Sequence, residues 1–148
     1  MKKKLLALSL LFNSLAFTGS AWARERMTPE EAIDLAKKAS AYIKKNGKDK
    51  AFLEFSKKEY TDYDLGVLDM EGKVLLYTEN VKIVGKDVQD IRDADGKQFV
   101  KECLAILKIK PSCSVEYKWP DPFTQQMGRK FVYLERVGDL AIGSGAYK

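Results

Sequence analysis

Apolar residues change their spacing along this chain, and the change excludes both an all-helical and an all-strand fold. Up to Phe55 they recur every three or four residues; from Tyr63, and again from Ser114, they alternate. Thr28-Pro29-Glu30-Glu31 reads as a helix start, with Thr28 as cap, Pro29 in the first turn and Glu31 closing a capping box. Ala32, Ile33, Leu35, Ala36, Ala39, Tyr42 and Ile43 continue at helical spacing until Asn46-Gly47 stops the run. A second short helix carries Ala51, Phe52 and Phe55. Leu65 to Asp69 and Val74 to Thr78 then read as strands joined through Met70-Glu71-Gly72-Lys73. Residues 80–95 show little periodicity. Beyond Asp95-Gly96, a helix aligns Phe99, Val100, Cys103, Leu104 and Leu107. Ser114 to Trp119, Arg129 to Val137 and Leu140 to Tyr147 are strand-like, the last two joined at Gly138-Asp139 as a tight hairpin. Helices grouped early and mid-chain among such strands predict an α+β fold.

The first residues stand apart from this pattern. Lys2-Lys3-Lys4 precede an apolar run from Leu5 to Phe17, and Ala21-Trp22-Ala23 fits a small-residue cleavage site. That run is shorter than the roughly 20 residues a membrane-spanning helix needs. The expectation is a signal peptide over 1–23, cleaved before Arg24, and a single domain over 24–148. In a bacterium this places the mature chain in the periplasm. The chain's net charge of +5 includes the three leading lysines, so the mature domain is close to neutral and nucleic-acid binding gains no support. No second apolar stretch approaches membrane length. The chain runs to Lys148 with no output domain, so the expectation is a stand-alone module.

Histidine is absent, which removes the commonest general base and metal ligand. With two cysteines and no histidine, one chain cannot assemble the usual structural zinc sets. No spacing points to paired catalytic carboxylates or a nucleophile elbow. The expectation is therefore no enzyme, no cofactor and no metal. Asp93-x-Asp95-Gly96 faintly resembles a calcium loop but lacks the later ligands, and a turn with a helix cap explains it better. Cys103 and Cys113 are the only cysteines, and an exported chain matures under oxidising conditions. They are expected to pair, since the chain can turn at Pro111 and return; two separate thiols are the alternative.

Six short elements, in order, carry a resemblance. They are Leu68-Asp69-Met70-Glu71-Gly72-Lys73-Val74, Val84-Gly85-Lys86-Asp87-Val88, Asp93-Ala94-Asp95-Gly96-Lys97, Glu116-Tyr117-Lys118-Trp119-Pro120-Asp121-Pro122, Lys130-Phe131-Val132-Tyr133 and Gly143-Ser144-Gly145-Ala146-Tyr147. Together, from Pro29 to Lys148, the chain resembles the single Cache domain, a PAS-related extracytoplasmic ligand-sensing module. The resemblance implies a curved antiparallel sheet of about five to six strands with a long N-terminal helix across one face. It also implies a non-catalytic role in signal transduction.

The resemblance implies a pocket beside the third strand, walled by Tyr117 and Trp119, which alternation places on one face. Filling the core is the alternative for both rings. Lys130 stands where the family pattern has a lysine, with Tyr133 three residues later. A lysine facing the pocket would attract a carboxylate and a tyrosine would add a hydrogen bond. A solvated strand end is the other reading of Lys130. Tyr63 and Tyr77 are secondary ligand-binding candidates, Lys118 is expected to point outward, and Arg92 is a weak candidate cation. The chain departs from the family pattern at Asp64, Leu76-Tyr77 and Cys113-Ser114. Two functions follow as expectations. One is a periplasmic module that binds a small organic anion, a short carboxylate, and presents it to a membrane sensor or transporter. The other is a protein-interaction module with no small-molecule ligand.

Overall fold

The computed structural model describes residues 26–60 and 62–148. The expected signal peptide and its cleavage site lie outside these residues. Helix α1 (Pro29–Asn46) begins at the capping box read from the sequence: Thr28 Oγ1 accepts from the Glu31 amide at 3.2 Å, and Glu31 returns the bond to the Thr28 amide at 2.7 Å. It ends where Gly47 takes a φ of 83°, a conformation side-chain-bearing residues rarely adopt. Helix α2 (Lys48–Phe55) follows directly.

The strands are β1 (Leu65–Asp69), β2 (Val74–Tyr77), β3 (Ser112–Pro120), β4 (Met127–Val137) and β5 (Leu140–Tyr147). They form one antiparallel sheet in the order β2-β1-β5-β4-β3. The last strand thus lies in the middle and brings β1 beside the β3–β4 hairpin. Between β2 and β3 the chain runs through a short 3₁₀ turn at Val81–Ile83 and an irregular stretch into helix α3 (Phe99–Leu107).

Each face of the sheet has its own core. On one face, Leu65, Val67, Leu140 and Ile142 pack with Ala39 and Ile43 of α1 and Ala51 and Phe55 of α2. On the other, Leu134 and Ala141 pack beneath Cys103, Leu104 and Leu107 of α3. Cys103 and Cys113 form a disulfide with their Cα atoms 5.8 Å apart, tying α3 to β3. Asp93 closes a turn: one carboxylate oxygen accepts from the amides of Asp95 and Lys97, each at 2.9 Å, and the other from the Lys118 amide at 3.0 Å. Those amides account for its oxygens without a cation. Among the described residues no helix is long and apolar enough to cross a membrane.

Candidate ligand-binding site

The pleat of β4 decides what reaches the α3 side of the sheet. Lys130, Val132 and Leu134 point there, and Phe131, Tyr133 and Glu135 point the other way. Opposite them on β5 stand Tyr147, Gly145 and Gly143, and opposite Gly143 on β1 stands Gly66. Three glycines on adjacent strands leave the middle of this face without side chains. A Cβ at Gly143 would lie 2.7 Å from Leu134 Cγ. At Gly145 it would lie 2.8 Å from Val132 Cγ2 and 2.9 Å from both Asp64 Oδ2 and Lys130 Cε.

Above this bare floor is a cavity of about 180 Å³. Phe99, Val100, Cys103 and Leu104 of α3 form one wall, and Ile83, Val88 and Ile91 from the irregular stretch form another. Tyr117 and Trp119 form a third with Phe99. The Phe99 and Tyr117 rings stack at 3.7 Å and 6°, and Trp119 meets both edge-on. Tyr77 enters from β2, where its hydroxyl donates to Glu79 at 3.0 Å.

One end of the cavity is charged. Lys130 is 4% exposed and forms an ion pair with Asp64, itself 9% exposed, just before β1. The ammonium also sits 5.5 Å from the centre of the Tyr147 ring. Burial opposes the charge on Lys130, but Asp64 foremost, with Tyr117 and Tyr77, outweighs it and raises the lysine well above its ordinary value. Burial pushes the Tyr77 and Tyr117 phenols up, so both remain protonated donors. Among the described residues no group of three or more acidic or cysteine side chains is placed to hold a metal ion.

The fold brings together Lys130, Tyr117, Trp119 and Tyr77, but not Tyr133 or Tyr63. Three residues from Lys130 on a strand is the wrong parity. Tyr133 therefore faces α1, where its hydroxyl donates to Glu135 at 2.8 Å and Lys37 lies 6.0 Å from its ring. Tyr63 is 47% exposed in a separate recess with Arg26, Met27 and Leu35. Lys118 points outward to Asp95 at 2.9 Å, and Arg92 donates to the Gly96 carbonyl. Sequence reasoning noted Asp64 only as a departure and missed it as a partner. It placed Phe99 on a helix face without its stacking role, and did not single out Tyr147. The alternation of β4 was the available signal for separating Lys130 from Tyr133.

Fold and site define a class: a PAS-like sheet with a small, mostly apolar cavity on one face. The sequence profile of the Cache domain family matches residues 23–148, and the chain belongs to that family. Cache domains are extracytoplasmic or periplasmic sensing modules. A stretch of 91 residues is 29% identical to the methyl-accepting chemotaxis protein McpP of Pseudomonas putida, covering 60% of this chain and 16% of that protein. The chain thus spans about a sixth of the length of this relative. Three solved structures share the fold. One is described as the structural basis for carboxylic acid recognition by a Cache chemosensory domain; it has a TM-score of 0.67 at 21% identity and covers 80% of this chain and 91% of its own. A methyl-accepting chemotaxis protein from Vibrio parahaemolyticus gives 0.66 at 16% identity, over 94% and 96%. A periplasmic sensor domain of a chemotaxis protein gives 0.60 at 24% identity, over 80% and 88%.

Proposed function

We propose that this chain is a periplasmic sensing module, exported by the segment over residues 1–23, that binds a small organic acid in the cavity beneath α3. Lys130 is the anchoring cation, Tyr77 and Tyr117 are hydroxyl donors, and Trp119 and Tyr117 are walls. The observation that carries this reading is a cavity that is apolar except for a few polar groups converging at one end, the buried Lys130–Asp64 pair with the Tyr77 and Tyr117 hydroxyls. The carboxylic acid recognised by the first structural relative supports the ligand class. The module acts by binding, without catalysis, and presents its liganded state to a membrane sensor or transporter.

A second reading is a protein-interaction module with no small-molecule ligand. It is favoured by Asp64, which already satisfies Lys130. Thermal-shift screening of residues 24–148 against short carboxylic acids with and without further polar groups, followed by calorimetry on the hits, separates the two. Saturable binding abolished by filling the cavity at Gly143 supports the first reading. Silence across the panel overturns it in favour of the second.

A further inference from the structure

The ion pair at the end of the cavity sets the charge its ligand can carry. Asp64 and Lys130 are the only acidic and basic side chains among the described residues lining the cavity, and they cancel. Tyr77 and Tyr117 add neutral hydroxyls. A simple carboxylate entering here would bring two anions against one ammonium beside a pair that is itself buried. A buried charge without its own partner is strongly disfavoured. A simple amine would leave the opposite excess. A molecule carrying both groups leaves no excess, because each protein charge exchanges its present partner for one on the ligand.

The remaining walls are apolar, from Ile83 and Val88 on one side to Val100 and Leu104 on the other, and the cavity is small. They suit an aliphatic body; besides the tyrosine hydroxyls, the Ser144 hydroxyl and the Trp119 indole are the polar groups on these walls, and none of them carries a charge. We propose that the ligand is a small aliphatic zwitterion of the amino-acid type, with its carboxylate on Lys130 and its ammonium on Asp64. This rests on the reading that the cavity binds an organic acid and narrows that acid to one bearing an amine. Asp64 becomes the specificity-determining residue, and its position, noted in the sequence as a departure, marks a change of ligand class.

The test compares ligands of one carbon skeleton on the parent protein. Calorimetry of residues 24–148 is run with valine, with isovalerate, which lacks the amine, and with isobutylamine, which lacks the carboxylate. Alanine and leucine with their deamino acids extend the series in size. The expected result is that at least one amino acid binds tenfold or more tighter than both truncated analogues. In Asp64→Asn, the deamino acid should become the tighter ligand, because Lys130 has lost its competing carboxylate. If a deamino acid binds the parent as tightly as its amino acid, the zwitterion proposal is overturned while the organic-acid reading stands. If neither amino acids nor plain carboxylates bind, both fall. The parent comparison decides the matter even if Asp64→Asn does not fold.

Discussion

At the scale of single residues, the Lys130–Asp64 pair links stability to recognition. Each charge is buried and each is the other's counterion. Removing one strands the other, a loss of about 3–5 kcal/mol for buried pairs. Lys130→Ala should therefore lower the urea unfolding free energy by that order; a change within experimental error would show that Asp64 finds water instead. Replacing both, Lys130→Met with Asp64→Leu, should recover most of the loss, because no unpaired charge remains. This pair was not legible in the sequence. Its members lie on β4 and just before β1, and only the central placement of β5 brings those strands near each other. Gly145 is the residue that makes room for them. Gly145→Ala would push a methyl group against Val132, Asp64 and Lys130 at once, and is expected to cost about 1–3 kcal/mol with weakened ligand binding. A parent-like melting temperature and affinity for this variant would show that the pair can shift aside.

At the scale of elements, what the residues themselves make legible is local, and the grouping of Tyr77, Tyr117, Trp119 and Lys130 follows from the family pattern rather than from any local signal. The start of α1 is fixed by groups three residues apart, and its stop by a single glycine, so both were visible in sequence. The β4–β5 hairpin turns on Gly138, whose φ of 61° is again a local property. What Phe99 stacks on depends on how α3 lies across the sheet, and nothing near Phe99 in sequence encodes that. Two ties hold this side of the molecule. The disulfide closes a short loop, and chain entropy assigns it about 3 kcal/mol; reduction should lower the unfolding free energy by that order, as denaturant titration with and without reductant will measure. Asp93 is the second tie. The amides of Lys118 and then Lys97 hold its carboxyl below the ordinary range. A depressed carboxyl contributes stability that is complete above its unfolded value, about 3.9, and is lost as the pH falls through its folded value. Asp93→Asn should therefore be less stable than the parent at neutral pH, and the gap should narrow on acidification. A constant gap would mean the turn depends on shape rather than charge.

At the scale of the whole molecule, the sheet divides two jobs. The face under α1 and α2 is filled by well-packed apolar side chains, whereas the face under α3 carries the glycine floor and the cavity. Part of the cavity wall is the irregular stretch between β2 and α3, whose backbone is held by turns and by bonds to Gly72 and Val74 rather than by a helix or a strand ladder. Such segments open at lower free energy than packed core elements. A ligand that touches Ile83, Val88, Phe99 and the sheet at once joins this stretch to the rigid strands. Binding only to the folded state also stabilises the whole domain, by about 2.7 kcal/mol at a ligand concentration a hundredfold above its dissociation constant. Hydrogen exchange should then slow first across residues 80–107, with smaller change in α1 on the far face, when a ligand found by the screen is added at saturation. If protection instead appears in α1 and leaves residues 80–107 unchanged, the ligand binds elsewhere and the cavity is part of the core. If residues 80–107 gain protection, the binding event reaches the irregular stretch and α3. A change there, on the opposite face of the sheet from α1, is one that a partner can read.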